Sequence, residues 1–245
     1  IWFYDVDGDG RDGILPGYQL YDGDGNLLWL MEGADYIEDS GGAGHIDHAT
    51  FGELDGDESN GPEIGIAGSD PGFFLVDACT GALLRHHRYG HVQGVYGGNF
   101  RPDLPGLEMW MGNRWENYGV LNLVSGQGDP LMRFEPDTIS QGGPAVNWSG
   151  DGEELLFIST SSEAFGFYDA QGRKVIRPVC EGLPFEWAPG VVEDVVGDTR
   201  DEIVYVHGGA IYIVTQDRPY PAGERIYAPE RRMDISIPGW QVNEA

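Results

Sequence analysis

The sequence predicts an all-β fold assembled from repeats of one four-stranded antiparallel sheet. Three observations predict it. Gly is abundant, 39 of 245 residues, and aromatic residues make up 12%, a mixture suited to short pleated strands joined by tight turns. No stretch spaces its apolar residues at the period of a long helix. One acidic turn recurs five times at nearly constant spacing, and a fixed period of this size marks a repeat architecture.

The turns start at Asp5, Glu53, Asn99, Asn147 and Asp194, successive starts lying 46 to 48 residues apart. They read D-V-D-G-D-G-R-D-G-I, E-L-D-G-D-E-S-N-G-P-E-I, N-F-R-P-D-L-P-G-L-E-M, N-W-S-G-D-G-E-E-L-L and D-V-V-G-D-T-R-D-E-I. An apolar strand enters each turn, as in 48–54, 94–100 and 190–196. A second strand leaves it, in 63–69, 107–113, 155–160 and 202–208. A third ends in a turn such as V-D-A-C-T-G or Y-D-A-Q-G, and a fourth follows in 83–89, 130–136 and 175–180. Gly and Asp supply the positive φ such hairpins need. Four strands in about 47 residues make one blade of a β-propeller.

Residues 1–245 are therefore read as a single β-propeller region of about five blades. It closes either as a five-bladed ring or as the last five blades of a seven- or eight-bladed one. The opening Ile1, Trp2, Phe3 and Tyr4, without an initiator Met, reads as the inside of a strand. It favours the larger ring, with the N-terminal part of the same protein missing.

Composition limits the partners. Lys and Arg total 14 against 41 Asp and Glu, a formal net charge of −27. Phosphate recognition needs Lys and Arg, so neither nucleic acid nor an anionic membrane is the expected partner. No apolar run approaches the ~18 residues of a membrane-spanning helix. The acidity fits a cation binder and equally a salt-adapted surface, since Lys174 is the one Lys. Cys79 and Cys180 do not form a disulfide framework; one bridge is open to them, and two unpaired buried thiols are expected. A monomer is expected.

The acidic turns carry the first chemistry. D-x-D-G-D-G sets carboxylates at positions 1, 3 and 5 of a tight loop, where hard oxygen ligands can wrap calcium. The candidate ligands are Asp5, Asp7, Asp9 and Asp12 in the first turn and Glu53, Asp55, Asp57 and Glu63 in the second. Asn99, Asp103 and Glu108 follow in the third, and Asn147, Asp151 and Glu154 in the fourth. The last turn offers Asp194, Asp198, Asp201 and Glu202. The third and fourth are poorer in charge. Against calcium stands the plain alternative that Asp and Gly make good turns.

A second constellation lies at the other end of the first strands. Eight residues before each turn stand His45, His91, Ile139 and Glu186. Equivalent positions of different blades converge near the central channel, so His45, His91 and Glu186, with Asp47 beside His45, are the candidate catalytic residues. The same groups could ligate a transition metal or be ordinary loop residues. His86 and His87 are neighbours in a strand and face opposite ways, one of them toward solvent.

The run G-H-I-D-H-A-T-F-G-E-L-D (44–55), the run R-P-D-L-P-G-L-E-M-W (101–110), the stretch D-V-V-G-D-T-R-D-E-I-V (194–204) and the tail R-M-D-I-S-I-P-G-W-Q-V-N (232–243) together resemble the rhamnogalacturonan lyases of polysaccharide lyase family 11. The acidic turns alone resemble the more general integrin-type (FG-GAP-like) repeat. The lyase resemblance implies an eight-bladed, calcium-binding, secreted or periplasmic propeller that cleaves an acidic polysaccharide by β-elimination. His45 and Asp47 match its G-H-x-D. Two cationic positions depart. Where that family carries N-G-T-K, this chain has Leu183, Pro184, Phe185 and Glu186. Where it carries G-R-G, this chain has Val92, Gln93 and Gly94. Elimination needs a base and a positive charge near the uronate. His45 and His91 are the remaining bases, and Tyr89 or Tyr96 could protonate the leaving oxygen. The other reading open to the sequence is a non-catalytic carbohydrate-binding or adhesion propeller with calcium-stabilised blades.

Overall fold

A computed structural model describes residues 1–33, 45–115, 117–137, 142–179 and 190–219. These residues form nineteen strands and no helix. Each expected repeat folds as one antiparallel sheet whose strands pair in chain order. The first sheet holds β1 (Trp2–Tyr4), β2 (Gly13–Gly17), β3 (Gln19–Tyr21) and β4 (Leu27–Leu30). The second holds β5 (His48–Gly52), β6 (Glu63–Ala67), β7 (Phe73–Asp77) and β8 (Leu83–His87). The third holds β9 (His91–Gly98), β10 (Glu108–Trp115), β11 (Leu121–Val124) and β12 (Pro130–Phe134). The fourth holds β13 (Ala145–Val146), β14 (Leu155–Ile158), β15 (Gly166–Tyr168) and β16 (Lys174–Ile176). Three described strands make the fifth: β17 (Gly190–Glu193), β18 (Glu202–His207) and β19 (Ala210–Val214).

The sheets stack face to face, and the alternation of side chains explains how. In β6, Ile64 and Ile66 point into a cluster shared with Leu15, Leu20 and Trp29 of the first sheet. In β7, Phe74 and Val76 join them, while Phe73 and Leu75 point the other way, against Val95, Met109 and Met111 of the third sheet. In β10, Met109 and Met111 face back while Trp110 faces forward onto Leu156, Ile158 and Tyr168 of the fourth. Val146, Phe157 and Phe167 then meet Val192 and Ile203 of the fifth. A strand buried on both faces reads as a continuous apolar run, which is why β6, β7 and β11 lack polar alternation. Burying one such side chain contributes about 1.5–3 kcal/mol. The last strand of each sheet is the exposed one; Leu27, Leu28 and Leu30 all face solvent.

A backbone bond also links the second sheet to the third, the third to the fourth and the fourth to the fifth, just before the second strand of the later sheet. The amide of Leu107 donates to Leu54 O at 2.8 Å, that of Glu154 to Asn99 O at 2.9 Å, and that of Asp201 to Asn147 O at 3.0 Å. Gly106 makes one such approach possible. Its φ is +75°, and a Cβ there would sit 2.1 Å from Leu54 O.

Two expectations are corrected. His86 and His87 do face opposite ways, but both are half-buried. His86 stacks on Phe74 at 4.5 Å and His87 on Phe73 at 6.2 Å, because the adjoining strand presents a pair of aromatic rings. Cys79 is an exposed free thiol rather than a buried one. It sits in a turn where Asp77 Oδ1 accepts the amides of Cys79 at 2.9 Å and Thr80 at 2.8 Å. Cys180 lies outside the described residues.

Candidate functional site

The strand order gives the stack two chemically different ends. Acidic turns join each first strand to its second. His45 and Asp47 precede β5, Ser69 and Asp70 follow β6, His91 opens β9 and Trp115 ends β10. All of these lie at the opposite end, about 15 Å away along strands that rise ~3.3 Å per residue.

At the acidic end the first two turns bring carboxylates together. One oxygen from each of Asp5, Asp7 and Asp9 lies within 4.8 Å of the others, and the same holds for Glu53, Asp55 and Glu63. Asp5 is also the scaffold of its loop, accepting the amides of Gly8 at 2.9 Å and Gly10 at 2.9 Å. Glu63 Oε2 accepts the amide of Leu54 at 2.8 Å. Burial pushes its carboxyl up to about 7 despite these bonds. Asp12 and Asp57 stand outside these groups: Asp12 is exposed, and Asp57 accepts the hydroxyl of Ser59 at 2.6 Å.

The later turns satisfy their own charge. Arg101 forms a two-pronged pair with Asp103, both bonds 2.7 Å. Glu108, fully buried, accepts the amide of Arg101 at 2.7 Å, and burial raises its carboxyl to about 7. Asn99 donates its side-chain amide to Gly152 O at 2.9 Å. In the fourth turn Asn147 Oδ1 accepts the amide of Gly150 at 3.0 Å, and Asp151 accepts that of Glu153 at 3.2 Å. Glu154 reaches the neighbouring sheet, accepting the Asn99 amide at 2.8 Å. In the fifth, Asp194 accepts the Gly197 amide at 2.7 Å and Asp201 that of Asn147 at 2.7 Å. Glu202 accepts the Val195 amide at 3.1 Å. Asp198 pairs with the buried guanidinium of Arg200, which holds the Asp198 carboxyl below its usual range.

At the other end Asp47 is a hub. Its Oδ1 lies 3.1 Å from His45 Nε2 and accepts the side-chain amide of Gln93 at 2.8 Å. Its Oδ2 accepts the Ser69 hydroxyl and lies 3.4 Å from His91 Nε2. The other nitrogen of His91, Nδ1, is 2.5 Å from Asp70 Oδ1. Ser69 Oγ is also 3.1 Å from His45 Nε2. The sequence predicts His45, Asp47 and His91 and singles out Gln93 only as a place where the resembled family carries Arg; it gives no sign of Ser69 or Asp70. Glu186 and Ile139 lie outside the described residues.

The backbone holds this cluster tightly. Ser69 has φ +58° in a fully buried position, a conformation that costs a residue with a Cβ about 1–3 kcal/mol. Paired amides fix it, Ser69 to Val92 O at 3.2 Å and Val92 to Ser69 O at 3.0 Å. The hydroxyl of Tyr18, from the first sheet, lies 3.2 Å from His45 O and 3.1 Å from Gly68 O. The second and third sheets thus meet at Asp47, and the first braces the backbone beside it.

Electrostatics separate the two histidines. Burial alone would lower the pKa of His91, but its bonds to Asp47 and Asp70 outweigh that and raise it. Burial of Asp47 would raise its carboxyl, yet His91, Ser69 and His45 bring it below the usual range. His91 is thus held between two carboxylates, whose hydrogen bonds favour its protonated form. The His45 side chain is 65% exposed and is the ring that can meet a ligand. Tyr96 is buried against His48 at 4.8 Å. Tyr89 is half-buried, and burial raises its phenol.

Comparison with known proteins gives the following. No family model matches the chain. Rhamnogalacturonan endolyase YesW of Bacillus subtilis (strain 168) is 24% identical over 256 residues, which cover 97% of this chain and 36% of the relative. The chain thus spans little more than a third of that protein. The crystal structure of rhamnogalacturonan lyase YesW superposes with a TM-score of 0.60 at 23% identity, over 96% of this chain and 38% of that one. A structure of BBS1N in complex with ARL6DN superposes with a TM-score of 0.56 at 10% identity, over 90% of this chain and 69% of that one. The likeness in fold extends over all five sheets.

Proposed function

We propose that this chain is the propeller part of a secreted polysaccharide lyase that cleaves rhamnogalacturonan, or a related acidic polysaccharide, by β-elimination. The observation that carries this reading is the Asp47 hub, which binds both candidate histidines in a chain similar along its length to a rhamnogalacturonan endolyase. The five sheets are then consecutive blades of a larger ring. His45 takes the proton alpha to the uronate carboxyl. The electron pair left behind forms the new carbon–carbon double bond as the glycosidic C–O bond breaks, and the leaving oxygen takes a proton from water. The His91 imidazolium offers positive charge near the uronate as negative charge grows on it. It stands in for the cation absent at Gln93.

Calcium belongs to the acidic end. Asp5, Asp7 and Asp9, and likewise Glu53, Asp55 and Glu63, present only hard oxygen donors at close range, the set calcium takes. The elevated Glu63 carboxyl is one that a bound cation would return to its charged form. Such an ion would cross-link the turns and offset their mutual repulsion. It would sit too far from His45 to touch a substrate there.

The test uses the full-length protein and ultraviolet absorbance of unsaturated uronate ends. Rhamnogalacturonan is expected to give a rise that His45→Ala abolishes. A folded protein that gives no rise on any polyuronate would leave the carbohydrate-binding propeller as the better reading, which the neutral Gln93 already favours.

A further inference from the structure

The third sheet runs further than its neighbours at the histidine end. β10 has eight residues where β6 has five and β14 has four. Its last residue, Trp115, pairs with His91 across two register shifts, at Gly112/Asn113 and Asn113/Trp115. In a regular strand Arg114 and Trp115 would point to opposite faces. A bulge re-aims side chains, and here the Arg114 guanidinium lies 4.8 Å over the Trp115 ring.

Described residues on either side of position 116 share one backbone acceptor. Asn117 has φ +61°. Its side-chain amide and that of Asn113 both donate to Tyr89 O, at 2.9 and 2.5 Å. The result is a pair of solvent-facing rings. Trp115 is 52% and Tyr118 41% exposed. Their centroids are 6.1 Å apart with planes 23° apart. Trp115 meets the buried His91 edge to face at 6.3 Å, so the platform adjoins the Asp47 hub directly.

Large exposed aromatic rings set side by side mark a recognition surface. The C–H face of a pyranose is apolar with weakly positive hydrogens, and it lies well against the negative face of an aromatic ring. Arg11, Arg101, Arg173 and Arg200 each pair with a carboxylate. Arg114 is exposed and makes no ion pair among the described residues. In a chain of formal net charge −27, an exposed guanidinium lying over the Trp115 ring favours an anionic sugar over a neutral one.

We infer that Trp115, Tyr118 and Arg114 form a uronate-binding subsite beside the Asp47 hub, with the sugar ring stacked on the aromatic pair and its carboxylate held by Arg114. This rests on the reading of the histidine end as the saccharide-binding end, and it names residues that position the chain there.

The experiment is a calorimetric titration of the full-length protein with two probes: an oligosaccharide of rhamnogalacturonan, and the same oligosaccharide with its uronate carboxyls reduced to alcohols. The wild type is expected to bind the acidic probe more tightly. Trp115→Ala is expected to weaken both probes roughly tenfold, and Arg114→Gln to weaken only the acidic one, by about the same factor. If Trp115→Ala lowers the melting temperature, Tyr118→Ala and Arg114→Gln decide the matter in its place. The inference is overturned if the wild type binds neither probe, if it binds both alike, or if the variants bind within twofold of it. Absorbance of unsaturated ends in the same samples keeps the two readings apart. Binding without cleavage sinks the lyase and keeps the subsite. Cleavage with unchanged binding in the variants sinks the subsite and keeps the lyase.

Discussion

The two ends of the sheets use the same residue types for opposite purposes. At the acidic end, carboxylates close turns onto their own backbone: Asp5 on Gly8 and Gly10, Glu63 on Leu54, Glu108 on Arg101, Glu202 on Val195. At the histidine end, the Asp47 carboxylate takes side chains from four other positions, His45, Ser69, His91 and Gln93. A carboxylate satisfied by amides fixes a loop and has little left for chemistry. One that gathers imidazoles, a hydroxyl and an amide side chain orients groups that can meet a ligand. Acidic residues alone do not mark the reactive end of such a molecule; their partners do.

The sharpest way to break this comparison is to mutate one residue at each end. His45→Ala is expected to lower kcat/KM by about 10²–10⁴ while moving the melting temperature by no more than about one degree, since its side chain is largely exposed. Glu108→Ala is expected to do the reverse. It removes a buried charged acceptor of backbone amides, costing about 2–3 kcal/mol, and leaves kcat/KM of the folded protein unchanged. If His45→Ala unfolds the protein while retaining activity, or Glu108→Ala silences a stable one, the division between the ends fails.

Within the acidic end the turns divide again. The first two bring three carboxylate oxygens within 4.8 Å of one another, whereas the third and fifth fold a guanidinium onto an acid of the turn, Arg101 on Asp103 and Arg200 on Asp198. Chelating calcium is expected to lower the melting temperature by several degrees, because an ion bound only to the folded state adds stability. Asp7→Asn together with Asp55→Asn should remove most of that response. Arg200→Ala should enlarge it, since it takes the internal cation away from a turn that otherwise resembles the first. A chelator response that the double Asn variant retains in full would place the calcium elsewhere.

Much of this was legible in the sequence. The period of the acidic turn, with strand signals on both sides, predicts five sheets of four consecutive strands, and the described strands fall within a few residues of the expected ones. Counting back from the turns also finds His45 and His91, because equivalent positions of stacked repeats must converge. Ser69 and Asp70 were not legible, and Gln93 showed only as a departure from the resembled family. Asp70 and Gln93 join the hub through contacts between sheets, and no local pattern encodes the left-handed Ser69 that aims its hydroxyl at Asp47. The extension of β10 to Trp115 was hidden for a similar reason. The bulge at Asn113 breaks the two-residue period on which strand reading relies. Nor does composition separate turns that gather carboxylates from turns that neutralise them, since the difference lies in where one Arg side chain folds.

The smallest expected effect concerns pH, and its sign follows from the His91 environment. Its pKa is raised in the folded protein. The stabilisation it brings is therefore complete below the ordinary value of about 6.5 and is lost as pH rises through the elevated one. Glu63 and Glu108 act in the same direction over a lower window. Their carboxyls are raised to about 7, so the folded state loses stability between about pH 4.5 and 7 and changes little from them above that. The interval from pH 7 to 9 thus isolates the histidine. Across it the wild type is expected to lose ~1–2 °C more in melting temperature than His91→Gln, which keeps a polar side chain but cannot carry the charge. Groups such as the terminal amine titrate alike in both proteins and cancel in the difference. Parallel melting curves would mean that His91 is neutral between Asp47 and Asp70. The positive charge assigned to the reactive end would then have to come from Arg114 alone.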